Sequence, residues 1–118
     1  MLDRRKTYKV TIHDNRRKGL SDLTEYAIKA EIVADEGRLQ LGYWNFERGH
    51  LLDGKVKRNL KNGIVFQATE LNWTLTLTEL TMEEFETEIR PRLRPEVSEM
   101  LNDLDDVYVW CRQQAGIN

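Results

Sequence analysis

Leu71, Trp73, Leu75 and Leu77 alternate with Asn72, Thr74, Thr76 and Thr78, and at Thr81 this period of two ends. Alternation places the apolar side chains on one side of a strand and the hydroxyls on the other, so the strand belongs to a sheet with one packed and one wet face. Thr81-Met82-Glu83-Glu84 then reads as a capping box, in which the Thr hydroxyl accepts the Glu84 amide and the Glu84 carboxylate reaches back. Leu80 and Phe85 stand where a hydrophobic staple needs them. A chain that changes once from strand period to helix start is a sheet followed by helices, not an alternating βαβ fold.

The residues upstream supply more strands. Tyr8–His13 alternates, and Asp14–Gly19 reads as a basic turn. Residues 23–34 fit a strand through Tyr26, Ile28, Ala30 and Ile32, and also a helix through Leu23, Tyr26, Ala27, Ala30 and Val33 with Ser21 as N-cap. The strand is preferred, because Asp35-Glu36-Gly37 joins this run to the alternating Leu39–Trp44 as a hairpin turn would. Residues 45–62, with scattered Gly and Asn, read as a loop holding a short strand around Val56–Leu60. Asn62-Gly63 is a type I′ turn signal leading into the strand Ile64–Ala68.

Downstream, Phe85 and Ile89 face inward on a helix that stops near Pro91, and Pro95 opens the next. Val97, Met100, Leu101, Leu104, Val107, Tyr108 and Cys111 fall on one helical stripe, and Gly116 ends it. The expected fold is therefore α+β: a mainly antiparallel sheet of about five strands over residues 7–78, then two helices at about 82–90 and 95–115 packed on one face. The 118 residues form one domain, 1–118.

Composition excludes several classes. No apolar run approaches bilayer length, and no apolar stretch follows Arg4-Arg5-Lys6 as a secretory signal requires. Cys111 is the single cysteine, so an internal disulfide is ruled out, and a reducing, cytoplasmic setting is expected. There is no Gly-rich phosphate loop, and neither Ser21 nor Ser98 sits in a nucleophile-elbow pattern. His13 with Asp14, His50 with Asp53, and Asp103, Asp105 and Asp106 match no metal-site spacing. Neither catalysis, nor a cofactor, nor a metal is expected. A ligand pocket using His13 or His50 is the minority view. No motif carries a family resemblance, and sheet-then-helices is an order without a function of its own.

What stands out is charge and aromatic placement. Residues 1–61 carry 14 Lys/Arg against 9 Asp/Glu, and residues 62–118 carry 4 against 11. Such polarity fits attraction inside the fold, an anion-binding face or head-to-tail self-association. If Leu39, Leu41 and Tyr43 face the core, then Trp44 faces away with open space at Gly42, and Phe46 and Arg48 continue that face. Lys55, Lys57 and Arg58 follow in the next segment. On the last helix Trp110 points off the main stripe and suits a contact surface. The expectation is a non-catalytic module binding another protein or a second copy of itself, with Trp110 at the interface and no membrane partner. The alternative is an RNA- or single-stranded-DNA-binding protein using Trp44, Phe46, Arg48, Lys55, Lys57 and Arg58.

Overall fold

In a computed structural model that describes residues 2–17, 21–45 and 48–116, seven strands form one antiparallel sheet. They are β1 (Tyr8–Asp14), β2 (Leu23–Ala27), β3 (Lys29–Asp35), β4 (Arg38–Trp44), β5 (Gly49–Leu60), β6 (Gly63–Ala68) and β7 (Trp73–Glu79). The order across the sheet is β2-β1-β7-β6-β5-β4-β3. β2 and β3 therefore stand at opposite ends of the order, yet only Ile28 separates them in the chain. The sheet has to curl to bring those ends together, and it does so as a half-barrel.

Alternation along each strand fills the inside. Tyr8, Val10 and Ile12 from β1, Leu41 and Tyr43 from β4, Ile64 and Phe66 from β6, and Leu75 and Leu77 from β7 form one buried cluster. Each fully buried aliphatic or aromatic side chain contributes roughly 1.5–3 kcal/mol. A second cluster lies where the chain kinks. Ile28 and Leu80 leave the sheet there and pack under Phe85, Ile89, Leu101, Val107 and Cys111 of the C-terminal segment.

That segment begins with α1 (Met82–Glu84), capped by Thr81 through both halves of the capping box. It continues as a wide turn over Phe85–Ile89 and a tight one over Arg90–Arg92. Short α2 (Pro95–Ser98) and α3 (Leu104–Ala115) follow. Lys9 on β1 reaches Glu84 at 3.3 Å, and the Tyr26 hydroxyl on β2 donates to Glu88, so the helices sit against the outer face of β1 and β2. Among the described residues no helix is long and apolar enough to cross a membrane.

The class agrees with expectation, whereas several elements differ. Seven strands replace about five, because residues 23–35 are two strands bent at Ile28, and the short strand expected around Val56–Leu60 extends back to Gly49 as one long strand. In β5 the inward positions are His50, Leu52, Gly54 and Val56, so a histidine and a glycine dilute the alternation that marks a strand. The left-handed two-residue turn is Glu36-Gly37, with φ of 49° and 78°. The Asn62-Gly63 hairpin forms, but neither residue has positive φ, and Gly63 already pairs within the ladder.

The expected helix 95–115 is broken between Ser98 and Leu104. Arg90 draws the Ser98 and Leu101 carbonyls to its guanidinium, the latter at 2.6 Å, which removes two acceptors from a continuing helix. Asp103 then caps α3 by accepting the Asp106 amide at 2.8 Å. With the stripe interrupted, Met100 and Leu104 turn to solvent while Leu101, Val107 and Cys111 stay buried.

Candidate functional site

The β4–β5 hairpin carries different chemistry on its two faces. On the outer face Trp44 pairs with Lys29 of β3 on one side and Gly49 of β5 on the other. Its indole lies across Gly49, where a Cβ would stand only 2.8 Å from Nε1. The Lys29 ammonium is over the ring, 4.9 Å from its centroid, a cation–π contact. Leu51 points the same way, 61% exposed, with its Cδ1 beside Gly42. Leu51 is left open to solvent there, while Trp44 is half-buried, its carbonyl accepting the Ile28 amide at 2.7 Å.

On the inner face Tyr43 is buried and donates its hydroxyl to the Glu25 carboxylate of β2 at 2.9 Å. Burial pushes the phenol well above its usual range, and the Glu25 hydrogen bond and charge add to this against a small opposing effect of Arg48. His50 is the cross-strand partner of Tyr43 and stacks on it, with ring centroids 4.7 Å apart and planes at 18°. Asn45 closes the group. Its Oδ1 accepts the Arg48 amide at 2.9 Å, so its Nδ2 faces His50 Nε2 at 3.1 Å and the imidazole nitrogen accepts there. This column braces the hairpin end, and the raised phenol keeps its proton.

The residues singled out from sequence do not converge. Trp44 and Arg48 flank the hairpin end, and Phe46 lies outside the described residues. Lys55 stands six positions beyond Gly49 along β5, about 20 Å at strand rise. Lys57 occupies an irregularity between Val56 and Arg58, and these cations belong to the far end of β5. Trp110 is half-buried at the margin of the second cluster. His13 pairs with Asp22 at 2.7 Å, not with Asp14, and Asp53 accepts from Gln40 at 2.9 Å. Among the described residues no three His, Cys, Asp or Glu side chains are grouped to hold a metal.

Sequence reasoning missed Glu25, Lys29 and the Tyr43–His50 stack. The signal was the alternation that points Tyr43 inward, but His50 becomes its partner only if residue 50 lies in a strand. Cys111 is buried and its thiol is pushed up to about 12 by desolvation, which leaves it inert as a nucleophile.

Comparison of this chain with known protein families, with curated proteins and with solved structures finds no match.

Proposed function

We propose that the chain is a non-catalytic interaction module that associates head-to-tail with a second copy of itself, the β4–β5 outer face of one copy docking on the C-terminal segment of the next. One observation carries this reading: exposed apolar side chains stand on the β4–β5 outer face and, separately, on the acidic C-terminal segment. Trp44 and Leu51 share the outer face with Lys29 over the indole, Arg48 at the hairpin end and Glu31 in the same cross-strand row as Leu51. Met100 and Val109, 67% and 52% exposed, stand in a stretch of the chain that also carries Glu99, Asp103 and Asp105. Exposed leucine, methionine and valine beside complementary charges favour burial against each other, and the charges set the orientation. Two different surfaces meeting make a heterologous contact, which extends or closes a ring unless one end is blocked.

The test is complementation. Leu51→Asp spoils the sheet face and Val109→Asp the helical one, and both sites are exposed enough to leave the fold alone. Each variant by itself should stay near 13.9 kDa at concentrations where the wild type gains mass in light scattering, while their mixture should form dimers and stop there. High salt should weaken the wild-type association. A wild type that remains 13.9 kDa at every concentration and at low salt sinks the proposal. So does a mixture that does not dimerise.

Single-stranded nucleic acid is the second reading, and one observation favours it. Lys55, Lys57, Arg58 and Lys61 are all exposed and make no ion pair among the described residues. Against it, a base stacking on Trp44 must first displace Lys29 from the ring, and the cations lie about 20 Å away. Polarisation of labelled RNA that falls steeply with salt and is lost on replacing these lysines would favour this reading over self-association.

A further inference from the structure

At the other end of β1, where it turns toward β2, the half-barrel has a small mouth. A cavity of about 150 Å³ opens between Ile12, Leu23 and Trp73, with His13, Asp14, Arg17, Ser21 and Asp22 around its rim. Ile12, Leu23 and Trp73 belong to three neighbouring strands, since Ile12 pairs with both Leu23 and Leu75 and Asp14 pairs with Trp73. Leu23 is 65% exposed, so the apolar wall of the mouth is left open to solvent.

The rim charges are not equivalent. Asp14 is chelated by Arg16, which donates from Nε and Nη2 at 3.2 Å each and from its amide at 3.0 Å. Asp22 is held by His13 Nδ1 at 2.7 Å. Asp14 thus has a cationic partner and Asp22 a hydrogen-bonding one. Arg17, exposed on the same rim, makes no ion pair among the described residues. An apolar wall beside one unanswered guanidinium suits a small organic anion, its apolar body against Leu23 and Trp73 and its charge on Arg17. The volume sets the size, because a cavity of about 150 Å³ takes a molecule like benzene and falls short of drug-sized ligands.

We infer that this mouth is a binding site for a small monocarboxylate with a compact apolar or aromatic body. The site is independent of the β4–β5 face, so its failure would leave the self-association reading untouched.

Benzoate is the probe, with benzyl alcohol and benzylamine as neutral and cationic matches of the same body. The intact protein is titrated by calorimetry, and the Trp73 indole N–H is followed by NMR after assignment with Trp73→Phe. Benzoate should saturate and shift the Trp73 indole, benzyl alcohol should bind more weakly, and benzylamine more weakly still. Arg17→Ala should weaken benzoate about tenfold, the loss of one charge-assisted contact at an exposed rim, and bring it level with the alcohol. Arg17 is a surface residue, so the variant keeps its fold, which circular dichroism verifies. Absence of saturation, benzylamine binding as well as benzoate, or unchanged benzoate affinity in Arg17→Ala would each overturn the assignment.

Discussion

Replacing Gly63 by Ala tests the sheet register on which both proposed surfaces depend. Gly63 sits in β6 between β5 and β7, opposite Leu60 on one side and Thr78 on the other. A Cβ there would stand 1.7 Å from the Leu77 carbonyl oxygen and 2.7 Å from its carbon, backbone atoms that no side-chain rotation can move. Ordinary contact needs about 3.5 Å, so β6 and β7 would separate locally by more than 1 Å. Hydrogen bonds tolerate only a few tenths of an ångström beyond about 3 Å, so at least one ladder bond is lost.

Overpacking at the top of its usual range, about 3 kcal/mol, plus about 1 kcal/mol for that bond, predicts a loss of about 4 kcal/mol. At about 4 °C per kcal/mol for a domain of this size, the melting temperature should fall by about 15 °C. Gly42→Ala is the control. It is also a strand glycine, but its Cβ would meet Leu51 Cδ1 at 3.6 Å, Trp44 Cζ3 at 3.8 Å and the Glu31 carbonyl oxygen at 3.9 Å, all ordinary contacts, so stability should change by no more than about 1 kcal/mol. Thermal melts by circular dichroism decide the matter. If Gly63→Ala melts within about 3 °C of wild type, or if both variants fall equally, the β6–β7 approach described above is wrong.

Two further outcomes follow from the ionisable groups. Asp14 titrates at about 2 instead of 3.8, chiefly through the side-chain and amide hydrogen bonds of Arg16, so its contribution to stability is complete above 3.8 and is lost as pH falls toward 2. Asp14→Asn should therefore be less stable than wild type at pH 5, and that difference should vanish near pH 2; a difference independent of pH in denaturant titrations would contradict the pairing. Cys111, with its thiol near 12 and its side chain in the second cluster, should resist disulfide-exchange reagents at neutral pH in the native protein and react at once in denaturant. Rapid native labelling would mean that α3 does not hold Cys111 against the second cluster.

Local rules made much of the fold legible. The alternation of Tyr8–His13 and of Leu71–Thr78 marks β1 and β7, and the Thr81 capping box forms as read, with Glu84 accepting the Thr81 amide at 3.2 Å. The outward aim of Trp44 was legible for the same reason, since a period of two decides which side of a strand each residue takes. Only the end of β5 around Val56–Leu60 was legible; its first half was not, because His50 and Gly54 occupy inward positions that a sequence pattern expects to be apolar. The broken C-terminal helix was hidden too, because Arg90 acts on carbonyls 8 and 11 residues away in the chain.

By itself, then, the sequence determined where strands give way to helices, which side chains share a face, and where the chain is capped, all of which are settled by atoms a few residues apart. Only the tertiary structure decided that Ile28 bends one run into two strands at opposite ends of the sheet, that Glu25 meets Tyr43, and that Lys55 to Arg58 stand far from Trp44. Those outcomes depend on the curl and register of the whole sheet, which arise from burying two clusters at once and not from the preference of any local segment.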